Sequence, residues 1–403
     1  MKREAYVVIG SNYGDEGKGL MTDYFCEKLL KSGHKEILNV RFNGGIQAGH
    51  TVVRGYDRHI FNIIGSGSLL NKKGDIKVHT YYAKECILNT VVDEYSAFER
   101  DGGVLGDIYA NSECRLTTIY DIKLNRAREE QRSGNRHGSC GMGIFETVKR
   151  DKVVSFRVKD LYKGKEHVTN KLKEIRDFYK SEADKCGFKV DLESLEDKFV
   201  TEETEHILHD FKELLVRVDN EKYLFSGFTG IVFEGAQGLL LDMDRMEYFP
   251  HLTPSNTGMK NVVSCVNNSK IDKLHVCYVT RSYDTRHGAG PMLCEVDKND
   301  LGPEVEDKTN VFNEYQRNFR YGRLDFDFVL SNIRRDFEFC NNIKVGTEIF
   351  IEISITHLDQ TNGYIRCIKG DLSVRRLNKL RMMDKIYVSY GEKANNVSEM
   401  GVE

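Results

Sequence analysis

The sequence lacks any run of about 18 consecutive apolar residues, the length that a membrane-spanning helix requires. It also lacks a secretory leader pattern, because residues 1–4 are mostly charged and run straight into a short apolar segment. We therefore expect a protein that has no membrane partner and works in the cytoplasm. With a net charge of -3, the chain has no overall basic field, so we also expect no nucleic-acid partner.

Metal-ligand spacing is missing from the ten cysteines, which are scattered along the chain. Cys26, Cys86 and Cys265 lie among apolar neighbours, as free thiols in a protein core do. Disulfide bonds are therefore not expected, in keeping with a reducing cytoplasm. The chain has no tryptophan and only four prolines, and neither shortage bears on function.

The residues that are present indicate a large globular protein, since 40% of its 403 residues are hydrophobic and 30% are charged. The sequence shows no internal repeat, low-complexity linker or clear boundary, so we predict one domain over residues 1–403. From about residue 158 to 225 the chain is dense in charge, and its apolar residues keep helical spacing. This segment is predicted to be a helical insertion.

The stretch at residues 10–19, which we call the P-loop, organises the predicted fold. Residues 5–9 are apolar and rich in β-branched side chains, which predicts a buried strand. After the loop, apolar residues recur every three or four positions up to Leu29, which predicts a helix that ends near Gly33. A glycine-rich loop between a strand and a helix N-terminus can bind an anion, and Lys18 adds a cation for phosphate oxygens.

This loop is a modified version of the one in switch-type GTPases. The standard motif needs a glycine where Asn12 lies and a serine or threonine where Gly19 lies. Asp15 is a further difference, since a carboxylate repels phosphate unless a metal ion or a proton transfer requires it. Gly19 therefore counts against a GTPase switch, and Asp15 favours an enzyme that uses a metal ion or a proton transfer next to the bound phosphate.

A second strand-then-glycine segment follows the first. Residues 36–42 predict a strand, and residues 43–53 form a glycine-rich turn that contains His50, a candidate acid or base near neutral pH. Further strands are predicted at residues 229–233, 273–280, 348–356 and 385–388. The pattern predicts an α/β fold in which a large, mostly parallel central sheet carries ligand loops at the carboxyl ends of its strands.

Seven motifs occur in order, at residues 13–19, 43–51, 233–242, 253–257, 285–291, 358–359 and 389–391. Together they resemble the adenylosuccinate synthetase family over nearly the whole chain. That family uses GTP and L-aspartate to convert IMP to adenylosuccinate. It first phosphorylates the 6-oxygen of the purine, and the amine of aspartate then displaces the phosphate. The resemblance implies a carbon–nitrogen ligase of purine biosynthesis with Mg²⁺ as its cofactor.

The resemblance also implies roles for the unusual residues of the two glycine-rich turns. Asp15 would remove the proton from purine N1 and bind Mg²⁺, with the carbonyl of Gly49 as a second metal ligand. His50 would act as the acid, and Lys18 with the P-loop amides would hold the transferred phosphoryl group. Gln237 would hold the purine near its 6-oxygen.

Binding residues follow from the same resemblance. GTP would be bound by Asn12, Gly14, Glu16, Gly17, Lys18 and Gly19, and by His357, Asp359, Ser389 and Gly391 of a guanine-binding part over about residues 345–403. The purine nucleotide would contact Asp15, Gln47, Ser139, Cys140, Arg150, Gln237 and Thr253, and aspartate would contact Arg317 and Arg320. In the family the arginine that matches Arg150 comes from a second subunit, so the resemblance implies a homodimer.

Departures from the family pattern leave the acceptor nucleotide open. They are Gln47 for an asparagine, Ser139-Cys140 for a Thr-Thr pair, Met142 for an arginine, residues 314–320 for an arginine-rich loop, and His357 for a lysine. One alternative is the bacteriophage branch of the family, which uses dGMP to make 2-amino-2′-deoxyadenylosuccinate. The retained Asp15 favours IMP, whereas the altered residues 314–320 favour dGMP.

An alternative of another class is a regulator that binds guanine nucleotides without turnover. Asp15, Lys18, His50 and Gln237 occur together in this chain, and their combined presence counts against an inactive site.

Overall fold

The computed structural model of the chain describes residues 2–91, 93–132, 139–307, 309 and 318–401. The strands are β1 (Glu4–Gly10), β2 (Ile37–Arg41), β3 (His50–Arg54), β4 (Asp57–Phe61), β5 (Val78–Tyr82), β6 (Ile87–Asn89), β7 (Ile108–Asn111), β8 (Arg115–Thr117), β9 (Leu215–Val218), β10 (Gly230–Gly238), β11 (Lys273–Arg281), β12 (Asp284–His287), β13 (Glu295–Val296), β14 (Phe319–Gly322), β15 (Glu348–Thr356), β16 (Tyr364–Ile365), β17 (Leu372–Ser373), β18 (Lys385–Ser389) and β19 (Val397–Met400). The α-helices are α1 (Lys18–Lys31), α2 (Glu94–Arg100), α3 (Ile119–Arg132), α4 (Ile144–Asp151), α5 (Lys165–Cys186), α6 (Asp197–His206), α7 (Glu221–Ser226), α8 (Met259–Ser269) and α9 (Phe326–Phe337). Within these ranges, no helix has both the length and the apolar character needed to cross a bilayer.

Ten strands form one central sheet in the order β19-β18-β15-β11-β1-β10-β2-β5-β7-β9. Neighbouring strands run parallel except at one edge, where β19 is antiparallel to β18. Parallel neighbours need crossover connections, and the helices between the strands supply them. The predicted α/β fold with a large, mostly parallel sheet is confirmed.

Successive residues of β1 pack into two different hydrophobic cores, one on each face of the sheet. This two-sided burial fits the central position of the strand between β11 and β10. Val7 belongs to the core that contains Val262 of α8 and Ile333 of α9. Val8 belongs to the core on the opposite face, with Phe25 of α1. Successive side chains of a strand point to opposite faces, so an uninterrupted apolar strand can be covered by helices on both.

The segment predicted as a helical insertion is helical only in part. α5 and α6 pack against each other, and the chain then forms β9, which pairs with β7 in the central sheet. The prediction of a helical insertion is therefore wrong for β9, whereas residues 221–226 are helical again in α7. Leu215 and Val218 are buried there as strand residues, although their upstream neighbours keep helical spacing.

Six neighbouring strands bring the predicted ligand loops to the same end of the sheet, where the carboxyl ends of these strands lie. In spatial order they are β18, β15, β11, β1, β10 and β2. The P-loop follows β1, and the turn that leads to His50 follows β2. Because the carboxyl ends of parallel strands lie at the same end of a sheet, segments far apart in the sequence converge there.

Candidate active site

Two cavities open at the carboxyl ends of these strands. The first, which we call the loop cavity, is lined by Gly17, Lys18 and Gly19 of the P-loop and by residues that follow β15 and β18. The second, which we call the glutamine cavity, is lined by Gln47, Gln237 and residues around the start of α4. Five residues line both cavities, namely Gly14, Asp15, Gly49, His50 and Thr309. We call this junction, which holds the predicted acid and base, the shared centre.

The P-loop is closed by its own carboxylate. Glu16 Oε1 accepts hydrogen bonds from the backbone N–H groups of Asn12 (3.0 Å) and Gly14 (2.7 Å). Its other oxygen, Oε2, lies 3.1 Å from Lys18 Nζ, and Lys18 also donates to the carbonyl of Gly14. Both side chains are buried. A loop that holds a carboxylate with amides and an ammonium group has the donors that would hold a phosphate.

Two glycines of the P-loop are required by its backbone geometry. The φ angle is 113° at Gly14 and 96° at Gly17, in the left-handed region that favours glycine. A β-carbon at Gly14 would also lie only 3.1 Å from Gln237 Cα. The P-loop therefore packs directly against the backbone of Gln237, so the walls of the two cavities are fixed relative to each other.

Asp15 has the electrostatic properties of a base. Burial raises the pKa of its carboxyl group, and the cations of Arg281 and Lys18 limit that rise. Arg281 also donates a hydrogen bond to the backbone carbonyl of Asp15. A raised pKa makes this carboxylate a stronger proton acceptor than an exposed aspartate. Asp15 can thus take a proton from a molecule in the glutamine cavity while it borders the loop cavity.

His50 is hydrogen-bonded through one ring nitrogen, and its other ring nitrogen is buried without a partner among the described residues. The bonded nitrogen is Nδ1, which lies 2.5 Å from Glu234 Oε1, and the other is Nε2. Burial lowers the pKa of His50 to about 4, against the opposing effect of Glu234. Burial acts to raise the pKa of Glu234, yet Arg41, His50 and Ser66 together lower it to about 2. A neutral imidazole therefore contacts an ionised carboxylate, and His50 as a residue borders the shared centre.

Most of the residues predicted to bind nucleotides come together around the cavities. Those that line the glutamine cavity are Asp15, Gln47, Ser139, Cys140, Gln237 and Thr253. Those that line the loop cavity are Gly14, Gly17, Lys18, Gly19, His357, Asp359 and Gly391. Asn12, Glu16 and Ser389 are buried behind its wall, where the Ser389 hydroxyl donates to the carbonyl of Gly391 (2.7 Å). Their binding roles stay predictions.

Arg150 lines neither cavity in this chain. Its side chain is 1% exposed and donates to Asp121 through Nε (2.8 Å) and Nη2 (3.1 Å). The guanidinium also donates to the carbonyls of Leu116 (2.7 Å) and Val154 (2.8 Å). Within this chain the whole guanidinium group is therefore enclosed and used inside the fold, and its contact with the nucleotide stays a prediction. The expected homodimer stays a prediction as well.

The two arginines predicted to bind aspartate give no such site here. Arg317 lies outside the described residues. Arg320, in β14, binds both carboxylate oxygens of Glu295 (2.9 and 2.5 Å) and the carbonyls of Gly288 and Gly290. Arg320 thus holds the turn after β12 against β14, and its contact with aspartate stays a prediction.

Three charged residues near the site received no role from the sequence motifs. Arg281 lines the loop cavity and lies 2.6 Å from Asp307. Arg286 lines the glutamine cavity, and its guanidinium lies 4.5 Å from the centre of the Tyr13 ring. Glu234 is the one charged residue of the buried strand β10, which is an unusual position for a charge and was the signal available in the sequence.

Oxygen ligands for a divalent cation are available at the shared centre. The Asp15 carboxylate and the Gly49 backbone both border the two cavities. Mg²⁺ prefers oxygen and usually takes one or two carboxylates, with phosphate and water oxygens completing its shell. The described ranges contain no group of three or more His, Cys, Asp or Glu side chains placed to hold a metal ion. The residues therefore fit an ion that binds together with nucleotide phosphates.

Solved structures share this fold. The fully ligated adenylosuccinate synthetase from Plasmodium falciparum superposes with a TM-score of 0.67 and 19% identity, over 97% of this chain and 98% of that one. The cyanophage S-2L succinoaminodeoxyadenylate synthetase, bound to dGMP and to dATP as an energy donor, superposes with a TM-score of 0.64 and 14% identity, over 99% and 95% of the two chains. At these identities the likeness establishes the architecture alone.

Sequence relatives are more specific. The chain is 30% identical over 329 residues to the adenylosuccinate synthetase of Mesoplasma florum, which spans 79% of this chain and 71% of that protein. It is 33% identical over 330 residues to the Shewanella halifaxensis enzyme of the same name, with 79% and 71% covered. A model of the adenylosuccinate synthetase family matches residues 7–345. The chain therefore belongs to the adenylosuccinate synthetase family of carbon–nitrogen ligases.

Proposed function

We propose that the chain uses GTP to join L-aspartate to the 6-position of IMP, giving adenylosuccinate, GDP and phosphate. The meeting of two cavities at Asp15 and His50 carries this proposal. The loop cavity has the glycine-rich, cationic wall that suits a triphosphate, and the glutamine cavity has amide groups that suit a purine. A phosphoryl group in the first can therefore be held next to a purine oxygen in the second.

The first step would phosphorylate the purine. Asp15 takes the proton from N1, the electron pair moves to the 6-oxygen, and this oxygen attacks the γ-phosphorus of GTP as GDP leaves. The raised pKa of Asp15 supports its role as the base. Lys18 and the P-loop amides would stabilise charge on the phosphoryl group once it has displaced Glu16 from them.

The second step would replace the phosphate with aspartate. The amine adds to carbon 6, the bond from carbon 6 to the phosphorylated oxygen breaks, and the proton lost by the nitrogen leaves with the released inorganic phosphate. Gln237 would hold the purine ring during both steps. His50 is neutral in the free protein, so it can act as an acid only after it gains a proton with substrates bound.

Mg²⁺ would be held by the Asp15 carboxylate and the Gly49 carbonyl, together with phosphate oxygens. When bound, this ion would neutralise part of the charge on the β- and γ-phosphates. Asp15 then has two duties, and its position between the cavities allows both.

GTP is proposed as the donor because of the far wall of the loop cavity. Asp359 lines this wall, and His357 and Gly391 lie beside it. A carboxylate can accept hydrogen bonds from guanine N1–H and the 2-amino group, and adenine offers no such pair of donors. We expect turnover with GTP to exceed turnover with ATP, and equal rates would remove this assignment.

A second candidate acceptor is dGMP, which unsatisfied oxygens in the glutamine cavity favour. Gln47 Oε1 and Glu146 Oε2 are buried, and neither has a hydrogen-bond donor in the part of the chain that the structure describes. The 2-amino group of guanine could donate to such an oxygen, whereas IMP has only hydrogen at that carbon. Leaving buried acceptors unpaired costs free energy, so an acceptor that pairs them would bind more tightly.

The direct test is turnover by the purified chain with Mg²⁺, GTP and L-aspartate. IMP and dGMP are supplied in separate reactions, and products are identified by mass. We expect adenylosuccinate from IMP. Product from dGMP alone would assign the second acceptor, and GTP binding without product from either would contradict ligase activity in favour of a regulator.

We further propose that the chain works in the cytoplasm as a homodimer, without a membrane or nucleic-acid partner. The family resemblance supports the dimer, and the small net charge of -3 supports the absence of a nucleic-acid partner. Light scattering coupled to size-exclusion chromatography measures the assembly, and a monomeric mass at working concentration would contradict the dimer.

A further inference from the structure

A fully buried carboxylate lies directly behind His50. Glu234, in β10, is 0% exposed, and its Oε1 lies 2.5 Å from His50 Nδ1. Its Oε2 accepts from the backbone N–H of Ser66 (3.1 Å) and from Asn39 Nδ2 (3.0 Å). The Ser66 hydroxyl donates to Oε1, and Arg41 Nη1 lies 3.7 Å from that oxygen. These donors fix the carboxylate in one position and favour its ionised form.

This arrangement decides which ring nitrogen of His50 carries hydrogen. The Glu234 carboxylate accepts from Ser66 and Asn39 and can only accept from the ring as well, so Nδ1 carries the hydrogen that it donates. Nε2, which has no hydrogen-bond partner among the described residues, is the nitrogen left for a substrate. Without a partner at Nδ1, the hydrogen would divide between the two nitrogens and the ring could turn over.

We propose that Glu234 is a positioning residue for the ligase reaction. It holds His50 in one tautomer and one orientation, so that Nε2 is the atom presented to the purine 6-oxygen and the transferring phosphoryl group. Glu234 acts through His50, since it lines neither cavity itself. The catalytic part of this inference rests on the proposed function, whereas the tautomer follows from the hydrogen bonds alone.

The complete burial of Glu234 indicates that its carboxylate does not serve mainly to stabilise the fold. A charged group that is 0% exposed in a central strand loses its hydration, and an apolar side chain of similar size at that position is often no worse for stability. The residue paired with Glu234 on the neighbouring strand β2 is Arg41, so the strand pairing itself supplies the compensating cation. A charge that is costly to bury therefore lies at the position that contacts His50.

The same sheet contains a matched control for the experiment. Glu352, in β15, is also 0% exposed, and its Oε1 lies 2.7 Å from Nδ1 of His275. Neither residue of that pair lines either cavity. Replacing each glutamate with glutamine removes the same charge from an equally buried sheet position, behind His50 in one case and away from the site in the other.

The kinetic test compares wild type, Glu234→Gln and Glu352→Gln with GTP, aspartate and the active acceptor. We expect Glu234→Gln to lower kcat by about 100-fold, with KM for GTP and the acceptor changed by less than about threefold. Glu352→Gln should keep kcat within about threefold of wild type, whatever it does to the melting temperature. Equal kcat values for the two variants would overturn the inference.

A second variant protects the test if Glu234→Gln does not fold. Ser66→Ala removes the hydroxyl that donates to Glu234 but keeps the charge and the backbone hydrogen bond. We expect it to lower kcat by about fivefold, again without a matching change in KM. An unchanged kcat in a folded Ser66→Ala variant would count against the inference.

Nitrogen-15 NMR of the imidazole rings reads the tautomer without any substrate. The signals of His50 are those, among the twelve histidines, that disappear in His50→Asn. We expect a protonated Nδ1 and a bare Nε2 in the wild type, and a mixture of tautomers in Glu234→Gln. A wild-type His50 protonated on Nε2 would overturn the inference alone, whereas a wild type that turns over neither IMP nor dGMP would overturn the proposed function.

Discussion

Glu16 and Lys18 form an ion pair inside the P-loop, with Lys18 Nζ 3.1 Å from Glu16 Oε2 and both side chains at most 3% exposed. The Glu16 carboxylate binds the ammonium group of Lys18 and, through Oε1, accepts from the backbone N–H groups of Asn12 and Gly14. Binding of GTP would then exchange one anion for another at the same donors. The donors of the loop are therefore in place before a nucleotide arrives, which lowers the ordering cost of binding.

The variant Lys18→Met separates the structural part of this pair from the chemical part. It leaves the Glu16 carboxylate buried without its cation, so we expect the free energy of unfolding to fall by about 3 kcal/mol. Adding Glu16→Gln should recover more than half of that loss without restoring turnover. Urea unfolding of the single and double variants measures the effect, and a double variant no more stable than Lys18→Met would contradict the pairing.

Gly14→Ala tests the close approach between the P-loop and Gln237. Gly370 provides the control, because its φ of 107° is close to the 113° of Gly14, while the described atoms leave the space within 4 Å of a β-carbon at Gly370 empty. Each alanine should cost about 1–2 kcal/mol of stability from backbone strain. Only Gly14→Ala should also lower kcat, since Gln237 must move. Similar kcat values for the two variants would argue against a tight contact.

Arg150→Lys tests the structural role given to this arginine. Lysine keeps the charge but cannot bind Asp121 with a planar fork. We expect a loss of about 2 kcal/mol in the free energy of unfolding and an unchanged KM for the acceptor nucleotide. Denaturant unfolding and steady-state kinetics measure the two quantities. A raised KM at unchanged stability would instead favour the nucleotide contact that the family resemblance implies.

His275 gives the fold a dependence on pH that is separate from the site. Burial by itself lowers its pKa, but hydrogen bonds with Glu352 and Glu4 raise it above the usual 6.5. Since the folded pKa is the higher one, this pair stabilises the fold fully below the unfolded pKa and loses its effect as pH rises through the folded pKa. The stability difference between wild type and His275→Gln should be larger at about pH 6 than at about pH 9. A difference in unfolding free energy that does not change with pH would contradict this pairing.

Local patterns were enough to predict the sheet and the position of the site. β1 is mostly an apolar run and β15 is rich in isoleucine, and their bounds differ little from the predicted segments at residues 5–9 and 348–356. The rule that parallel strands present loops at their carboxyl ends then placed Asp15 and His50 near each other. Both residues do line the two cavities.

Contacts between distant residues could not be predicted from the same patterns. Arg150 and Asp121 are 29 positions apart, and in the sequence a buried arginine looks the same as one that binds phosphate. Glu234 and His50 are 184 positions apart, so only the folded sheet shows that the carboxylate lies behind the ring. β9 is a third case, because four residues at a sheet edge carry too short a pattern to be separated from the helices before them.

In the proposed reaction, Asp15 lets the γ-phosphoryl group of GTP move onto a purine oxygen before aspartate is joined. Positional isotope exchange measures this step most directly, in GTP labelled with oxygen-18 at the β,γ-bridge and incubated with the chain, Mg²⁺ and the acceptor but no aspartate. Reversible transfer lets the β-phosphate of bound GDP rotate, so label moves to non-bridging positions. We predict exchange in the wild type only when the acceptor is present, and none in Asp15→Asn, although this variant still binds GTP. Exchange at the wild-type rate in Asp15→Asn, or none in a wild type that forms product, would contradict the account.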